Sequence, residues 1–343
     1  EWGGKDGMPY FDFNDPDNRT APQEHTWSIP EEYHYNTWIA ERSNALLEEY
    51  ANAEEPFFLW SSFFDPHPPY LIPEPWDSMY DPADVTVPQV TPGEHDKNPE
   101  HFRKTQEENP DFSDWADPEG AEMHGCSSHL QDRESLAKDI AIYYGMISCM
   151  DKYIGQILDK LDELRLTENT LILFTSDHGH FYGHHGLNAK GPFHYEDLVK
   201  VPFIASWPNH IPEGTESQSL QSLVDMAPSI LQACGIEVPR SMTGVNQLSA
   251  WKGEAAARDH VLVENRHQPN TIHVKTYINE RYKLTVYWKH EYGELFDIQE
   301  DPSELNNLWD DPDAAALKAQ LTRKLLDAEL GKEPVPMPRV APA

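Results

Sequence analysis

The chain has 343 residues, enough to bury one large core or one core with a small appended domain. Its 59 acidic and 26 basic residues give a formal net charge of −33 at pH 7. That balance argues against a nucleic-acid-binding protein, because Lys and Arg must neutralise the phosphate backbone. We expect a solvated acidic surface, so an anionic substrate would need a locally positive cleft.

The cysteines and the hydropathy of the chain exclude further classes. Cys126, Cys149 and Cys234 are widely spaced and form no C-x-x-C pair, which indicates neither a disulfide framework nor a zinc site. Cys149 lies in a helical pattern and is predicted to be a small buried hydrophobe. The sequence shows no membrane span and no signal peptide. Because it begins at Glu1 with neither an initiator Met nor a leading strand, we expect it to be the later part of a longer protein.

The first seventy residues contain one predicted helix and one predicted strand. Glu1–Pro30 lacks sustained periodicity and is expected to be irregular. Glu31–Ala53 has the apolar spacing of an amphipathic helix. Phe57–Trp60 is apolar throughout and predicts a buried central strand. It is followed by Asp65–Pro69, whose prolines end the strand and restrict the backbone. A lone His67 beside prolines is more often structural than catalytic, although Asp65 could orient it.

A long polar stretch precedes the clearest helix. Leu71–Asp132 is dense in Pro, Asp and Glu, and a loop of this length tends to be functional or mobile. This segment either shapes a binding pocket or is a surface loop that packs over the edge of the domain. From Glu134 to Leu164 apolar residues recur at i, i+3, i+4 and i+7, which predicts a helix packed on a sheet.

The segment that follows carries the candidate chemistry. Leu171–Thr175 is a short apolar run that predicts a buried strand, and Asp177 and His178 come just after it. Ligands of α/β proteins bind at the carboxyl ends of strands, where a carboxylate and an imidazole can share one divalent cation. Lys190 adds a charge suited to an anionic ester. The alternative is a Gly-rich polar loop whose histidines only form hydrogen bonds.

The remainder of the chain predicts a return to the sheet and then a smaller mixed region. Val201–Ala205 reads as a second strand, and Gln221–Cys234 as a helix ended by Gly235. Asp311–Leu330 predicts a final helix, followed by a Pro-rich tail. Four short β-rich runs between these helices predict a small antiparallel sheet: His260–Glu264, Thr271–Ile278, Tyr282–Trp288 and Glu294–Ile298.

Taken together, the motif S-D-H-G, the loop G-H-H-G-L, Lys190 and the strand V-P-F-I resemble the sulfatases of the alkaline phosphatase superfamily. The resemblance implies that Asp177 and His178 bind a calcium ion and that Lys190 binds the sulfate group. It also implies that His67, in an H-x-P motif after a strand, contacts the sulfate. The run Tyr292–Asp297 and the E-L-N-N-L that follows it resemble the C-terminal part of these enzymes, where their role is structural.

The same resemblance implies the architecture. It predicts an α/β fold with an alkaline-phosphatase-like mixed sheet flanked by helices and a small C-terminal antiparallel-sheet subdomain. We expect residues 1–240 to form a truncated catalytic domain that includes 71–132 as a long insertion. Residues 241–343 would form the C-terminal subdomain and tail.

Two features of such enzymes are missing from this sequence. The resemblance implies an early strand with paired acidic metal ligands and a C-x-P-x-R or S-x-P-x-R motif, whose Cys or Ser is oxidised to the nucleophile formylglycine. Ser206 has Pro208 at the required offset, but His210 stands where Arg is needed. We therefore expect the formylglycine in a preceding segment and little turnover from this chain alone.

Three functional hypotheses remain open at this point. The first is a sulfatase that hydrolyses sulfate esters of carbohydrates or small molecules, of the arylsulfatase type. The second is a phosphonate or phosphate ester hydrolase of the same superfamily, which would differ at the nucleophile. The third is an inactive fragment that binds metal weakly. Family resemblance implies a periplasmic or extracellular location, and the oligomeric state is left open.

Overall fold

The structure is a computed structural model that describes residues 24–27, 30–108, 110–115, 132–266 and 271–332. The helices are α1 (Tyr35–Tyr50), α2 (Glu100–Lys104), α3 (Arg133–Glu163), α4 (Glu196–Val199), α5 (Met226–Ala233), α6 (Leu248–Trp251) and α7 (Ala315–Gly331). The strands are β1 (Glu24–Thr26), β2 (Tyr70–Ile72), β3 (Ile172–Thr175), β4 (Phe203–Ser206), β5 (Val261–Arg266), β6 (His273–Ile278), β7 (Tyr282–Tyr287) and β8 (Gly293–Asp297).

The described residues fall into two compact units. The first comprises those of Glu1–Gln89 and Ser128–Asn169, and the second those of Val90–Ser127 and Thr170–Ala343. The division of the chain at residue 240 stays a prediction. Within the described ranges, no helix combines the length and the apolar character that a bilayer crossing requires.

The first unit is built on the two long helices that the sequence predicts. Helices α1 and α3 pack together through apolar contacts and polar links, among them a 2.6 Å hydrogen bond from Thr37 Oγ1 to the Tyr153 hydroxyl. Cys149 of α3 is fully buried, as its helical position predicts. Strand β1 pairs in parallel with β2, so the expectation that residues 1–30 are irregular is wrong for Glu24–Thr26.

Helix α3 begins at an aspartate cap. The carboxylate of Asp132 accepts hydrogen bonds of 3.0 Å from the backbone N–H groups of Glu134 and Ser135, which have no acceptor inside the helix. We expect Asp132→Ala to lower the midpoint of thermal unfolding by a few degrees. Asp132→Asn keeps a side-chain acceptor and serves as the control. Equal midpoints for the Ala and Asn variants would contradict the capping role.

The predicted strand Phe57–Trp60 is absent from the structure. The segment has no regular secondary structure, and Phe58 and Trp60 are 69% and 79% exposed. Its side chains still alternate between half-buried and exposed, as in an extended chain. An extended segment becomes a strand only when a neighbouring strand accepts and donates its hydrogen bonds, and among the described residues none pairs with this one.

The second unit contains two sheets. Strands β3 and β4 pair antiparallel, with Ile172 opposite Ser206 and Thr175 opposite Phe203. All four residues of β3 are half-buried, so the expectation of a fully buried strand is wrong. Strands β5 to β8 form an antiparallel sheet in sequential order, which confirms the predicted C-terminal sheet.

Both faces of the C-terminal sheet are covered. Leu284 and Leu295 pack against Leu321 and Leu325 of α7 in one hydrophobic cluster. The next residue of β8, Phe296, belongs to a second cluster, because successive side chains of a strand point to opposite faces. This second cluster includes residues from the long segment after β3: Phe181, Leu187, Phe193, Tyr195 and Leu198. The sheet therefore supports the segment that carries the candidate site.

The predicted insertion 71–132 is more ordered than a surface loop. Its residues 90–115 belong to the second unit, where His101 and Phe102 of α2 are fully buried and Trp115 is 5% exposed. In the first unit, its residues 77–84 face part of α3 (Lys138, Ala141 and Ile142) across a cavity of about 790 Å³. Residues 116–131, with Cys126, and the tail after residue 332 lie outside the described residues.

Candidate functional site

The turn after β3 exposes a carboxylate. Asp177 Oδ1 accepts a 2.9 Å hydrogen bond from the backbone N–H of His178 and lies 3.3 Å from Ser176 Oγ. The side chain of Asp177 is 83% exposed, so it remains accessible although one oxygen is held by the turn. The sequence prediction of an acidic group at the carboxyl end of this strand agrees with the position observed.

His178 presents one ring nitrogen to this carboxylate. Its Nδ1 lies 2.8 Å from the carbonyl oxygen of Gly179, which can only accept, so Nδ1 carries the proton. In the neutral ring Nε2 then bears a lone pair. It lies 3.5 Å from Asp177 Oδ2 and 3.2 Å from Lys190 Nζ. The structure therefore brings Asp177, His178 and Lys190 together.

The chemistry of these donors fits a divalent cation. A carboxylate oxygen and an unprotonated imidazole nitrogen, its other nitrogen held by a backbone carbonyl, are ordinary metal ligands. The Nε2 lone pair of His178 accepts from the Lys190 ammonium group at 3.2 Å, so a cation bound to Nε2 would replace this contact. Among the described residues, no group of three or more His, Cys, Asp or Glu side chains is arranged to hold a metal. Asp177 and His178 could therefore supply two ligands to a cation, and the further ligands are not found among the described residues.

The other histidines of the loop have structural contacts. His184 and His185 lie 3.3 Å from opposite oxygens of Asp197, and the ring of His185 stacks on Tyr195 at 3.7 Å. His194 is buried against Thr276, and burial together with the charge of Lys283 lowers its pKa to about 3. These contacts favour the structural interpretation of these three histidines.

His67 lies in the first unit, whereas the other candidate residues lie in the second. Its ring is exposed, with Nδ1 2.6 Å from the Pro68 carbonyl oxygen, so this nitrogen also carries its proton. The preceding Asp65 is 5% exposed and accepts hydrogen bonds from the Tyr35 hydroxyl and from Asn36 Nδ2. Asp65 therefore anchors the turn that carries His67 to the start of α1.

Burial also changes the titration of Asp65. It raises the pKa of this carboxyl to about 7, although the hydrogen bonds from Tyr35 and Asn36 act in the opposite direction. The carboxyl group has little contact with water and receives no hydrogen bond from a cation among its described donors. The sequence shows an Asp beside the motif but does not reveal this burial.

Sequence reasoning missed a buried cluster of charges behind the site. Lys283 is 1% exposed, and its Nζ lies 2.7 Å from a carboxylate oxygen of Glu196 and 2.7 Å from one of Glu304. Burial raises the pKa of Glu304, and the charge of Lys283 opposes that rise. In the sequence, Lys283 occupies one position of an alternating β-rich run and looks like an ordinary solvent-facing residue.

An exposed carboxylate, an imidazole and an ammonium group at the end of a strand define a class of site that can hold a cation and an anionic ester. The sulfatase family model matches residues 2–236, and the model of the C-terminal part of N-sulphoglucosamine sulphohydrolase matches residues 183–330. The chain belongs to the sulfatase family.

Individual proteins agree with this assignment. The chain is 28% identical over 324 residues to an arylsulfatase of Clostridium perfringens, covering 90% of this chain and 60% of that protein. It is 28% identical over 195 residues to an N-acetylglucosamine-6-O-sulfatase of Bacteroides thetaiotaomicron, covering 54% of this chain and 35% of that protein. The chain thus spans 60% or less of these two relatives.

The fold matches that of a solved structure. The phosphonate monoester hydrolase of Silicibacter pomeroyi superposes with a TM-score of 0.74 at 23% identity, covering 95% of this chain and 67% of that one. This likeness confirms the predicted alkaline-phosphatase-like fold of mixed helices and sheets.

Proposed function

We propose that the protein hydrolyses sulfate esters with the help of a bound divalent cation. The observation that carries the proposal is the convergence of Asp177, His178 and Lys190 at the end of β3, in a chain of the sulfatase family. The resemblance to the sulfatase motif supports a metal-binding role for Asp177 and His178 and a sulfate-binding role for Lys190.

The residues of this chain would bind and neutralise the sulfate group. Asp177 and His178 Nε2 would hold the cation, which polarises sulfate oxygens when bound. Lys190, 3.2 Å from His178 Nε2, would donate hydrogen bonds to a sulfate oxygen beside the cation and stabilise charge on it in the transition state. A contact of His67 with the sulfate is proposed from the resemblance of its H-x-P motif alone. The nucleophile, a formylglycine, would come from a part of the protein outside these 343 residues.

The substrate class we propose is sulfated carbohydrates. It rests on the N-acetylglucosamine-6-O-sulfatase relative and on the match to the C-terminal model of N-sulphoglucosamine sulphohydrolase. The net charge of −33 would repel a polyanionic chain at a distance, which favours mono- or oligosaccharides with few sulfates over long sulfated polymers.

The experiment is to incubate the complete protein with a panel of sulfated, phosphorylated and unsubstituted monosaccharides and to measure the inorganic sulfate and phosphate released. The proposal predicts release from at least one sugar sulfate and its loss after Lys190→Ala. The alternative of a phosphonate or phosphate ester hydrolase is favoured by the structural likeness to the phosphonate monoester hydrolase, and phosphate esters in the same panel test it. Hydrolysis of phosphate esters alone would overturn the sulfatase proposal.

We propose calcium as the cation, because an exposed carboxylate is a hard oxygen ligand. Calcium that binds only the folded protein should raise the midpoint of thermal unfolding, in proportion to the logarithm of its concentration once the site is saturated. Asp177→Ala should abolish this rise, and Asp151→Ala, which alters an exposed carboxylate on α3, should preserve it. A rise that survives Asp177→Ala would place the calcium elsewhere.

A further inference from the structure

The residue after His178 rests directly on helix α4. The backbone N–H of Gly179 donates a 2.8 Å hydrogen bond to the carbonyl oxygen of Leu198. A Cβ added to Gly179 would lie 1.9 Å from the carbonyl oxygen of Asp197, so only glycine fits this contact. The position of the Asp177–His178 turn therefore depends on where the end of α4 lies.

The beginning of α4 is held by a side chain from the C-terminal region. Glu304 Oε2 accepts a 2.7 Å hydrogen bond from the backbone N–H of Glu196, the first residue of α4. With four residues, α4 is too short to be stable by itself and relies on such tertiary contacts. Glu304 lies in the loop after β8, so the C-terminal sheet and α4 are joined at this point.

Lys283 of β7 completes the link. Its Nζ contacts Glu304 and Glu196 at 2.7 Å each and donates a 3.1 Å hydrogen bond to the carbonyl oxygen of His194. Lys283 and Glu304 are 1% and 2% exposed, so each charge depends on the other for compensation. His194 lies four residues after Lys190, the candidate sulfate-binding residue. The Lys283 ammonium group therefore also holds the backbone of the segment that follows Lys190.

We propose that Lys283 and Glu304 are positioning residues for the site, which place the Asp177–His178 turn through α4. This inference deepens the function proposed above and rests on it for the cation. Through these two residues, the C-terminal sheet would help to set the geometry of the proposed metal ligands. Asp177 and His178 lie 105 to 127 residues before Lys283 and Glu304 in the sequence. A change at Glu304 should therefore reach the turn without removing any group that touches substrate or cation.

The test compares Glu304→Ala, which leaves no side-chain acceptor for the backbone N–H of Glu196, with the wild-type protein by two measurements. The first is the dissociation constant for calcium alone, by calorimetry, which we expect to rise about 10- to 100-fold, as when a residue that orients a metal ligand is lost. The second is hydrogen–deuterium exchange of peptides spanning residues 176–181, where we expect loss of protection of the Gly179 amide. Gly179→Ala serves as the positive control for a broken contact with α4.

Arg281→Ala is the matched negative control. It removes a 2.8 Å ion pair between Arg281, which directly precedes β7, and Asp297, the last residue of β8. Arg281 is 47% exposed, and none of the described hydrogen bonds or ion pairs joins this pair to α4. We expect neither the calcium constant nor the exchange at 176–181 to change in this variant. A general loss of stability would instead increase exchange throughout the second unit.

The outcomes separate this inference from the function on which it rests. A folded Glu304→Ala protein with wild-type calcium affinity and wild-type exchange at 176–181 overturns the positioning role. If that variant fails to fold, Glu304→Asp decides, because it keeps a carboxylate to compensate Lys283 but shortens the side chain that reaches the backbone N–H of Glu196. Unchanged exchange at 176–181 in a folded Glu304→Asp protein then overturns the positioning role. Wild-type protein that binds no calcium contradicts the proposed metal site, while the exchange measurement still decides the positioning role.

Discussion

Lys190→Ala is expected to lower kcat/KM for a sulfate ester about 100-fold or more, the usual effect of removing one preorganised charge-stabilising donor. The Lys190 ammonium group lies 3.2 Å from His178 Nε2, so a sulfate oxygen bound beside the cation would also be within its reach. Because the charge on this oxygen grows in the transition state, we expect kcat to fall more than KM rises. Steady-state kinetics of the complete protein provide the measurement.

Lys200→Ala is the control for this experiment. Lys200 follows α4 on the same segment, but its side chain is exposed and the residue lies beyond the turn. We expect its kinetics to match those of the wild-type protein. If Lys190→Ala were no worse than Lys200→Ala, Lys190 would have no place in sulfate binding.

Asp65 is expected to make the stability of the first unit fall as the pH rises from about 4 to about 7. Its pKa is raised from an ordinary value of 3.8 to about 7 because the group is buried. Between these two values the folded chain holds a proton that the unfolded chain has lost, so raising the pH favours unfolding. A difference of about three pKa units corresponds to about 4 kcal/mol, fully present below pH 4 and lost above pH 7.

Asp65→Asn should remove this dependence. The neutral amide can accept from Asn36 and donate to the Tyr35 hydroxyl, so the anchor of the turn is kept while the ionisation is lost. Urea unfolding at pH 5 and pH 8 should therefore show a smaller loss of stability for Asp65→Asn than for the wild-type protein. Asp151→Asn, an exposed carboxyl on α3, should behave as wild type. Parallel pH profiles for Asp65→Asn and the wild-type protein would contradict the raised pKa.

The parts of the fold that the sequence predicts correctly are those set by local periodicity. The helix at Glu134–Leu164 is observed at Arg133–Glu163, because a 31-residue apolar stripe gives a strong period of 3.6 residues. The β-rich runs of the C-terminal sheet agree for a similar reason: hydrophobic alternation and turn residues are both local signals.

The errors arise where structure depends on a distant partner. Phe57–Trp60 has the composition of a strand, but the composition does not show whether another strand pairs with it. Glu24–Thr26 is the opposite case, since this polar segment becomes a strand by pairing with Tyr70–Ile72. Neither outcome could be derived from the residues within each segment.

The candidate site, like the fold, is predicted from the sequence only in part. The motif predicts that Asp177, His178 and Lys190 lie close together, because all three belong to one loop. In the structure, His178 Nε2 lies 3.5 Å from Asp177 Oδ2 and 3.2 Å from Lys190 Nζ. The supporting ion pair of Lys283 and Glu304 was not predicted, since neither residue lies near the motif in sequence. Only the fold shows that these two charges are buried behind α4.

The most direct measurement compares kcat/KM of the complete protein for 4-nitrophenyl sulfate, 4-nitrophenyl phosphate and a 4-nitrophenyl phosphonate monoester. These substrates share a leaving group, so the comparison isolates the group that is transferred. We expect the highest kcat/KM for the sulfate ester and loss of that activity in Lys190→Ala. A preference for the phosphate or phosphonate ester would contradict it.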